Sequence, residues 1–264
     1  MTFESTSQPA FFGTSALLFV ASAALTTLWC GSMSAIGEMP MPGGWTMSMA
    51  WMPMPGQTWV GAAVSFVGMW VVMMVAMMLP SFVPTLWSYR RTIGSRGDLR
   101  LSWLTALAGI GYFLVWTVFG IVVFPLGATL AEVEMQRPRL ARVVPIAVGV
   151  VVVLAGALQF TAWKAHHLTR CREPWGREPT LPADAATAWR HGLHLGLHCT
   201  CGCAAFTAIL LVSGVMDLRV MALVTAAITA ERLAGNGERV ARAIGIVVVG
   251  VGLLLITRAA ARLG

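Results

Sequence analysis

Residues 59–79 read WVGAAVSFVGMWVVMMVAMML and contain no charged side chain. A helix needs about 20 apolar residues to cross the hydrocarbon core of a bilayer, and this run is long enough. The rest of the chain has the same character, since 57% of its 264 residues are hydrophobic and only 11% are charged. A soluble domain usually carries about 25% charged residues. The sequence therefore predicts an integral membrane protein without a soluble domain of useful size.

The apolar stretches of the chain divide into seven segments. They are 11–30, 59–79, 101–127, 143–163, 193–214, 220–231 and 240–257. The sixth segment is short for a span, so we expect it to be tilted, buried among its neighbours or half of a hairpin. Pro80 and Pro84 are expected to end the second helix. We predict an all-α fold, a polytopic transmembrane helix bundle with six or seven spans that forms one integral membrane domain over residues 1–264.

Loop charge predicts the orientation of this bundle. Seven spans and a cytoplasmic N-terminus place most of the Lys and Arg residues on the inner side, as the positive-inside rule requires. Residues 31–58 contain no Lys or Arg, so they are expected to form an extracytoplasmic loop. Residues 11–30 follow a single charge, Glu4, and lack a small-residue cleavage site, which favours a retained helix over a signal peptide. The expected location is the bacterial inner (cytoplasmic) membrane, multi-pass.

The loop before the second segment is rich in methionine. Residues 38–56 read EMPMPGGWTMSMAWMPMPG, in which proline and glycine prevent a long helix. The loop contains three Met-x-Met pairs, namely Met39/Met41, Met47/Met49 and Met52/Met54. A thioether is a neutral soft ligand that selects Cu(I). We interpret the pairs as Cu(I) contacts; the alternative is an interfacial loop whose Met and Trp side chains dip into lipid.

The strongest local pattern is HGLHLGLHCTCGC, residues 191–203, which opens the fifth segment. Thiolate and imidazole groups hold copper and zinc. On a helix, Cys199 and Cys203 share one face, while His194 and His198 belong to another. The alternative is that the cysteines pack as small hydrophobes and the histidines lie at the headgroup level. We predict a metal site with candidate ligands His194, His198, Cys199, Cys201 and Cys203.

A second group of candidate ligands is MWVVMMVAMMLP, residues 69–80. Its methionines recur every four residues, which places them on common helix faces. Methionine also fills irregular membrane cores, which is the alternative interpretation. The second segment ends on the side where the fifth begins, so the two groups are expected at the same depth. The candidate thioether ligands are Met73, Met74, Met77 and Met78.

The stretch QFTAWKAHHLTRC, residues 159–171, closes the fourth segment on that same side. Trp163 and Lys164 fit interfacial anchoring, and a glutamine inside the apolar run needs a partner. Two acidic residues lie further along the chain. Asp217 is expected to cap or turn the connection after the fifth segment, and Glu231 is expected either to pair with Arg232 or to face the metal site. The residues expected to surround and support the metal ligands are Gln159, His166, Cys171, Asp217 and Glu231.

Three stretches together resemble one family: MWVVMMVAMMLPS, QFTAWKAHHLTRCR and HLGLHCTCGCAAFTAILLVSGVMDLRVMALVTAAITAERL. They are similar to the bacterial predicted metal-binding integral membrane protein family, a domain of unknown function, over residues 59–257. The resemblance implies metal binding but names neither the metal nor an activity. Many members read C-x-G-C-C at the cysteine cluster. Here Cys199 and Cys203 match that pattern, and Cys201 is shifted by one residue.

These patterns favour a copper-binding integral membrane protein that handles Cu(I) by transport or by delivery to a membrane cuproenzyme. Copper is the expected metal, and zinc, acting as a staple between helices, is the alternative. A second hypothesis is a non-catalytic structural or accessory subunit of a larger membrane complex. The sequence has no nucleophile elbow, phosphate loop or metalloprotease pair, so no catalytic residue is predicted. The expected partners are the lipid bilayer and possible companion subunits of a membrane complex, and nucleic acid is not expected.

Overall fold

The structure is a computed structural model that describes residues 4–36, 39–93, 98–172 and 184–263. Its described residues form eight α-helices and one two-stranded hairpin. The helices are α1 (Glu4–Ile36), α2 (Trp59–Ile93), α3 (Asp98–Gln136), α4 (Pro138–Leu158), α5 (Ala162–Arg172), α6 (Ala185–Ser213), α7 (Leu218–Leu233) and α8 (Gly237–Leu263). The predicted all-α helix bundle is confirmed. The middle of the polar connection before α6, with its three prolines, lies outside the described residues.

Six helices among the described residues are long and apolar enough to cross a bilayer: α1, α2, α3, α4, α6 and α8. The chain is thus a multi-pass membrane protein. Helix α7 has only 16 residues, about 24 Å at a rise of about 1.5 Å per residue, which is shorter than a hydrocarbon core of about 30 Å. Arg232, near the end of α7, reaches Cys199 in the middle of α6. Helix α7 therefore folds back along α6 as half of a hairpin, one of the three arrangements expected for the short sixth segment.

The prediction that prolines end the second helix is wrong. Helix α2 continues to Ile93 with Pro80 and Pro84 inside it. A proline removes one N–H donor and frees a carbonyl one turn earlier, but membrane helices tolerate this where nearby donors replace the lost bond. The Ser81 hydroxyl, next to Pro80, donates to the Met78 carbonyl oxygen at 3.0 Å, which is a different carbonyl from the two that the prolines free, those of Ala76 and Pro80.

The fourth segment also ends earlier than expected. Helix α4 ends at Leu158, and a turn at residues 159–161 leads into the short helix α5. Trp163 and Lys164 therefore belong to a separate helix. This break in direction lets α5 pack across α6 and α7.

Glycines allow the central helices to approach closely. A Cβ atom at Gly192 would overlap the Ala108 carbonyl oxygen, and one at Gly196 would lie 2.9 Å from the Tyr112 carbonyl oxygen. The second contact lies four residues further along both helices than the first, from Gly192 to Gly196 on α6 and from Ala108 to Tyr112 on α3. Helices α3 and α6 therefore run parallel. Close contact through small residues is how helices associate in lipid, where burial of apolar surface between helices gives little driving force. This interface places Tyr112 directly against α6.

The methionine-rich stretch begins with a packed hairpin. Strands β1 (Met39–Met41) and β2 (Trp45–Met47) are antiparallel, with Met39 opposite Met47 and Met41 opposite Trp45. Gly43 and Gly44 turn the chain with positive φ angles of 107° and 74°, which glycine adopts readily. A turn of 3₁₀ helix follows at Met49–Trp51.

The hairpin lies where α3 ends and α4 begins. Met41 and Met47 are buried against Ala131 and Ala141, and Trp45 Nε1 donates to the Ala141 carbonyl oxygen at 2.8 Å. These contacts fix the hairpin on the bundle, which does not fit a loop that only dips into lipid. We call this the hairpin end of the bundle.

A buried thiol cluster as candidate metal site

Three cysteine side chains meet where α5, α6 and α7 come together. Cys199 and Cys203 lie one turn apart on α6, and Cys171 comes from the last turn of α5. All three are buried, and Cys199 is completely inaccessible to solvent. We call these three side chains the thiol cluster. Burial raises the pKa of the Cys171 thiol to about 11, against the opposing charge of Arg232.

The side chain of Arg232 enters the thiol cluster from α7. Its Nη2 atom lies 2.8 Å from Cys199 Sγ, 3.6 Å from Cys203 Sγ and 3.7 Å from Cys171 Sγ. One guanidinium nitrogen is thus shared by three sulfur atoms. Tyr112 Oη forms a further hydrogen bond with Cys199 Sγ at 2.8 Å.

The methionines of α2 line the same interior. Met73, Met74, Met77 and Met78 are all buried, and Met78 Sδ lies 3.9 Å from Cys199 Sγ. The expectation that the paired methionines and the cysteines share a depth is confirmed for this contact. A thioether therefore lies next to the thiol cluster.

The six methionines of the Met-x-Met pairs do not form one group. Four of them pack in a single cluster at the hairpin end: Met39, Met41, Met47 and Met52. Met49, which begins the 3₁₀ turn, and Met54 are half-buried and do not belong to that cluster. In two of the three pairs, Met47/Met49 and Met52/Met54, only the first methionine belongs to this cluster, although the sequence pattern treats all three pairs alike.

Met54 lies just before α2. It opens the turn that leads into α2, where its backbone N–H donates to Gln57 Oε1 at 3.1 Å and its carbonyl oxygen accepts from the Gln57 N–H at 2.8 Å. Helix α2 begins soon afterwards, at Trp59. Met54 is not part of the cluster that contains Met52, and its role as a Cu(I) ligand stays a prediction.

A buried ion pair borders the thiol cluster. Lys164 Nζ lies 2.6 Å from Glu231 Oε2 and donates to the Gly202 carbonyl oxygen at 2.8 Å. The expectation that Lys164 is an interfacial anchor is wrong, because α5 turns its face inward, whereas Trp163 remains exposed. Glu231 pairs with Lys164 and not with its sequence neighbour Arg232. Burial raises the pKa of Glu231, and the ammonium group of Lys164 opposes this shift.

The histidines of α6 lie on a different face from the buried thiols. His198 Nδ1 is 3.0 Å from His167 Nδ1 on α5, so one of the two nitrogens must carry a hydrogen. The His194 ring centroid is 4.6 Å from that of His198, and the His166 centroid is 6.3 Å away. These imidazoles are exposed or half-buried, as is Cys201. The structure therefore separates the predicted ligands of α6 into a buried thiol face and a more exposed imidazole face.

A family model described as a copper chaperone, PpoB2, matches residues 67–255. The chain belongs to this copper chaperone family. The matched residues include the whole thiol cluster, Met78 and the imidazole face. No curated protein and no solved structure matches the chain. The resemblance noted in the sequence implied metal binding, and the copper chaperone family narrows the metal to copper; nothing in the match favours zinc.

Two residues of this copper chaperone family member were expected to support the metal ligands but are placed differently. Asp217 lies away from the thiols, and Gln159 lacks a hydrogen-bond partner among the described residues. Asp217 caps α7 by accepting hydrogen bonds from the backbone N–H groups of Arg219 and Val220. The predicted capping role is confirmed, but it places Asp217 at the opposite end of α7 from Glu231. Gln159 is buried, and its amide atoms have no hydrogen-bond partner among the described residues.

As placed, no three His, Cys, Asp or Glu side chains in the described part of the chain could hold one metal ion. The three thiols surround an arginine nitrogen instead. The ligand patterns of the sequence do not include Arg232 or Tyr112, because neither residue is a soft metal ligand and basic residues near helix ends usually reach the interface. An Arg next to a Glu at the end of an apolar segment too short to span was the available signal for an inward-facing charge.

Proposed function

We propose that this member of the copper chaperone family holds Cu(I) within the membrane and delivers it to a membrane cuproenzyme. The holding ligands would be the sulfur atoms of Cys199, Cys203 and Met78. The observation that carries the proposal is the 3.9 Å contact between Met78 Sδ and Cys199 Sγ inside a buried cluster of thiols. Thiolate and thioether are the ligands that select Cu(I).

Buried methionines line part of the interior between the hairpin end and the thiol cluster. The hydrophobic core contains Met69, Met73, Met74, Met77 and Met78 along α2. Trp51 packs on both this core and the hairpin. The length of α2 from Trp59 to Met78 is about 28 Å at about 1.5 Å per residue, so hairpin and cluster are separate sites. We propose that the hairpin, on the extracytoplasmic side, collects Cu(I) and that the methionines of α2 relay it.

The chemistry of the ligand set favours copper over zinc. Structural zinc sites are tetrahedral and use thiolate, imidazole or carboxylate ligands. Here the sulfur atom next to Cys199 belongs to a thioether, and the imidazoles of His194 and His198 lie on another face of α6. A buried set of sulfur ligands without imidazole fits Cu(I) better.

The first test is the copper content of the purified full-length protein. A Cys199→Ser/Cys203→Ser variant is expected to lose nearly all bound copper, since both thiolates are removed. Cys30→Ser is the matched control, because Cys30 is also buried but contacts Met216, 3.8 Å away, outside the thiol cluster. Wild type without copper, or copper retained by the double variant, would contradict the proposal. Accumulation of copper inside sealed proteoliposomes would instead favour transport over delivery.

A second prediction concerns the hairpin end. Replacing the four clustered methionines (Met39, Met41, Met47 and Met52) with leucine keeps the apolar volume but removes the sulfur ligands. We expect Cu(I) loading to become several-fold slower while the final copper content stays the same, because the holding site is elsewhere. A time course of loading measures this.

Two single variants are the controls for that time course. Met135→Leu changes a methionine that packs on the hairpin but belongs to no Met-x-Met pair, and Met54→Leu changes one that belongs to a pair but not to the cluster. Both should load at the wild-type rate. An unchanged loading rate in the four-residue variant would exclude the hairpin as the entry point.

A further inference from the structure

We propose that the Arg232 guanidinium is an exchangeable counter-ion that occupies the copper position in the empty site and leaves when Cu(I) enters. This inference rests on the proposed function, because it assigns Cu(I) to the thiol cluster. It adds that Arg232 sets the affinity of the site for Cu(I) and its preference for a singly charged ion.

The first argument is steric. Arg232 Nη2 lies within 3.7 Å of all three sulfur atoms, and only 2.8 Å from Cys199 Sγ. Metal–thiolate bonds are about 2.3 Å long in zinc sites, and a metal ion shared by Cys199 and Cys203 would need the space that this nitrogen fills. Cu(I) and the guanidinium nitrogen therefore cannot occupy the cluster together.

The second argument is electrostatic. The guanidinium and Cu(I) each carry one positive charge. A thiol that becomes a Cu(I) ligand first releases its proton to solvent, and once the ligands are thiolates, exchange of the guanidinium for Cu(I) leaves the charge at the sulfur atoms unchanged. Adding Cu(I) while Arg232 stayed would place a second cation against the first, near the ammonium of Lys164, which pairs with Glu231 at the same end of α7. Buried charges are tolerated only when they are paired. Exchange is thus the arrangement that keeps the cluster balanced.

The third argument is that the structure offers the displaced side chain a destination. Glu231 Oε1 is buried and has no hydrogen-bond partner among the described residues, although Oε2 binds Lys164. A cavity of about 10 Å³, enough for about one water molecule, is lined by Cys171, Cys203, Glu231 and Arg232 among others. Arg232 Nη1 already reaches away from the sulfurs, to Ser81 Oγ at 3.3 Å. The cavity is too small to hold a guanidinium group, but Glu231 Oε1 is a buried acceptor beside the thiol cluster that Arg232 can bind once its Nη2 atom has left the sulfur atoms.

The exchange predicts that removing Arg232 strengthens Cu(I) binding, although Arg232 contacts the metal ligands. In Arg232→Gln, Cu(I) no longer competes with a tethered cation, and its affinity should rise at least about 10-fold, within the range of typical coupling energies. The same variant should gain affinity for the divalent ion Zn²⁺, because the excluded charge is gone. Arg232→Lys retains the positive charge and should show neither gain.

The test titrates the purified full-length protein with Cu(I) under anaerobic conditions against a chromophoric Cu(I) chelator. Arg172→Gln is the matched control, because Arg172 donates to the backbone carbonyls of Glu231, Ala234 and Gly235 rather than to the thiols. The expected result is tighter binding in Arg232→Gln alone. Equal or weaker binding in that variant, with wild type still binding Cu(I), would overturn the exchange but leave the proposed function standing.

Two further outcomes complete the test. If neither wild type nor Arg232→Gln binds Cu(I), the proposed function fails and the exchange fails with it. If Arg232→Gln does not fold, a structure of the copper-loaded wild type decides: the exchange requires Arg232 Nη2 to have left Cys199 Sγ. A guanidinium still between the three sulfurs would overturn it.

Discussion

Replacing Lys164 with methionine is expected to lower the free energy of unfolding by about 3–5 kcal/mol, the usual range when a buried ion pair loses one partner. Lys164 Nζ and Glu231 Oε2 lie 2.6 Å apart, and their side chains are only 5% and 2% exposed. Without the ammonium group, the buried Glu231 carboxylate loses its ion-pair partner. Thermal unfolding of the detergent-solubilised protein, followed by circular dichroism, should show a clearly lower midpoint than wild type.

The double variant Lys164→Met/Glu231→Gln is the control for this prediction. It removes both charges, so most of the lost stability should return, as replacement of whole buried ion pairs by neutral groups often shows. A double-mutant cycle then isolates the coupling between the two side chains. A single variant that unfolds like wild type would show that the pair contributes nothing to stability.

Replacing Gly192 with alanine is expected to destabilise the protein by about 1–3 kcal/mol, the usual effect of overpacking, and to weaken Cu(I) binding. The new Cβ would overlap the Ala108 carbonyl oxygen, a backbone atom that cannot rotate away. Helices α3 and α6 must therefore separate. Tyr112 lies one turn beyond Ala108, so its hydrogen bond with Cys199 should lengthen. Thermal unfolding and the Cu(I) titration measure the two effects.

The matched control is Gly109→Ala on α3, where a Cβ would meet nothing within 4 Å. Alanine is the better helix former by about 1 kcal/mol, so this variant should be neutral or slightly stabilised. Similar losses in both variants would mean that the close approach of α3 and α6 is not what Gly192 provides.

Helix composition made the membrane class and most spans predictable. Residues 59–79 and the other long apolar runs each fall within or above the range of helix lengths that crosses a bilayer, and this criterion is independent of tertiary structure. The helix ends were less predictable. Proline signals such as Pro80 come from helices in water, where freed backbone groups meet solvent. Helices packed in a membrane bundle tolerate proline in their interior, and α2 contains two prolines.

The candidate site was only partly predictable. Helical spacing alone put Cys199 and Cys203 on one face and His194 and His198 on another, and the structure has this separation. The inward direction of Arg232 and Lys164 depends on how α5 and α7 pack across α6. Charged residues near helix ends usually reach the interface, so their sequence positions gave the opposite expectation. Cys171 joins the other thiols for the same reason.

The Met-x-Met pairs show the same limit in a loop. Residue spacing identified the pairs, but spacing places side chains on common faces only where the backbone is regular. Met39 and Met41 lie on a strand, whereas Met52 and Met54 lie between a 3₁₀ turn and the turn held by Gln57. The packing of Met54 therefore depends on turn geometry that the motif does not encode.

The shortness of α7 has a consequence for how the protein is made. A segment of 16 residues with Glu231 and Arg232 in its last turn is a poor substrate for the insertion machinery, because it is shorter than the hydrocarbon core and carries these two charges near its end. Helix α7 must therefore be placed with the help of α6 and α8. Cys199 and Cys203 leave the ribosome before Arg232 does, so the nascent chain contains these thiols before it contains their counter-ion. The thiol cluster with its counter-ion is therefore complete only after α7 has been synthesised.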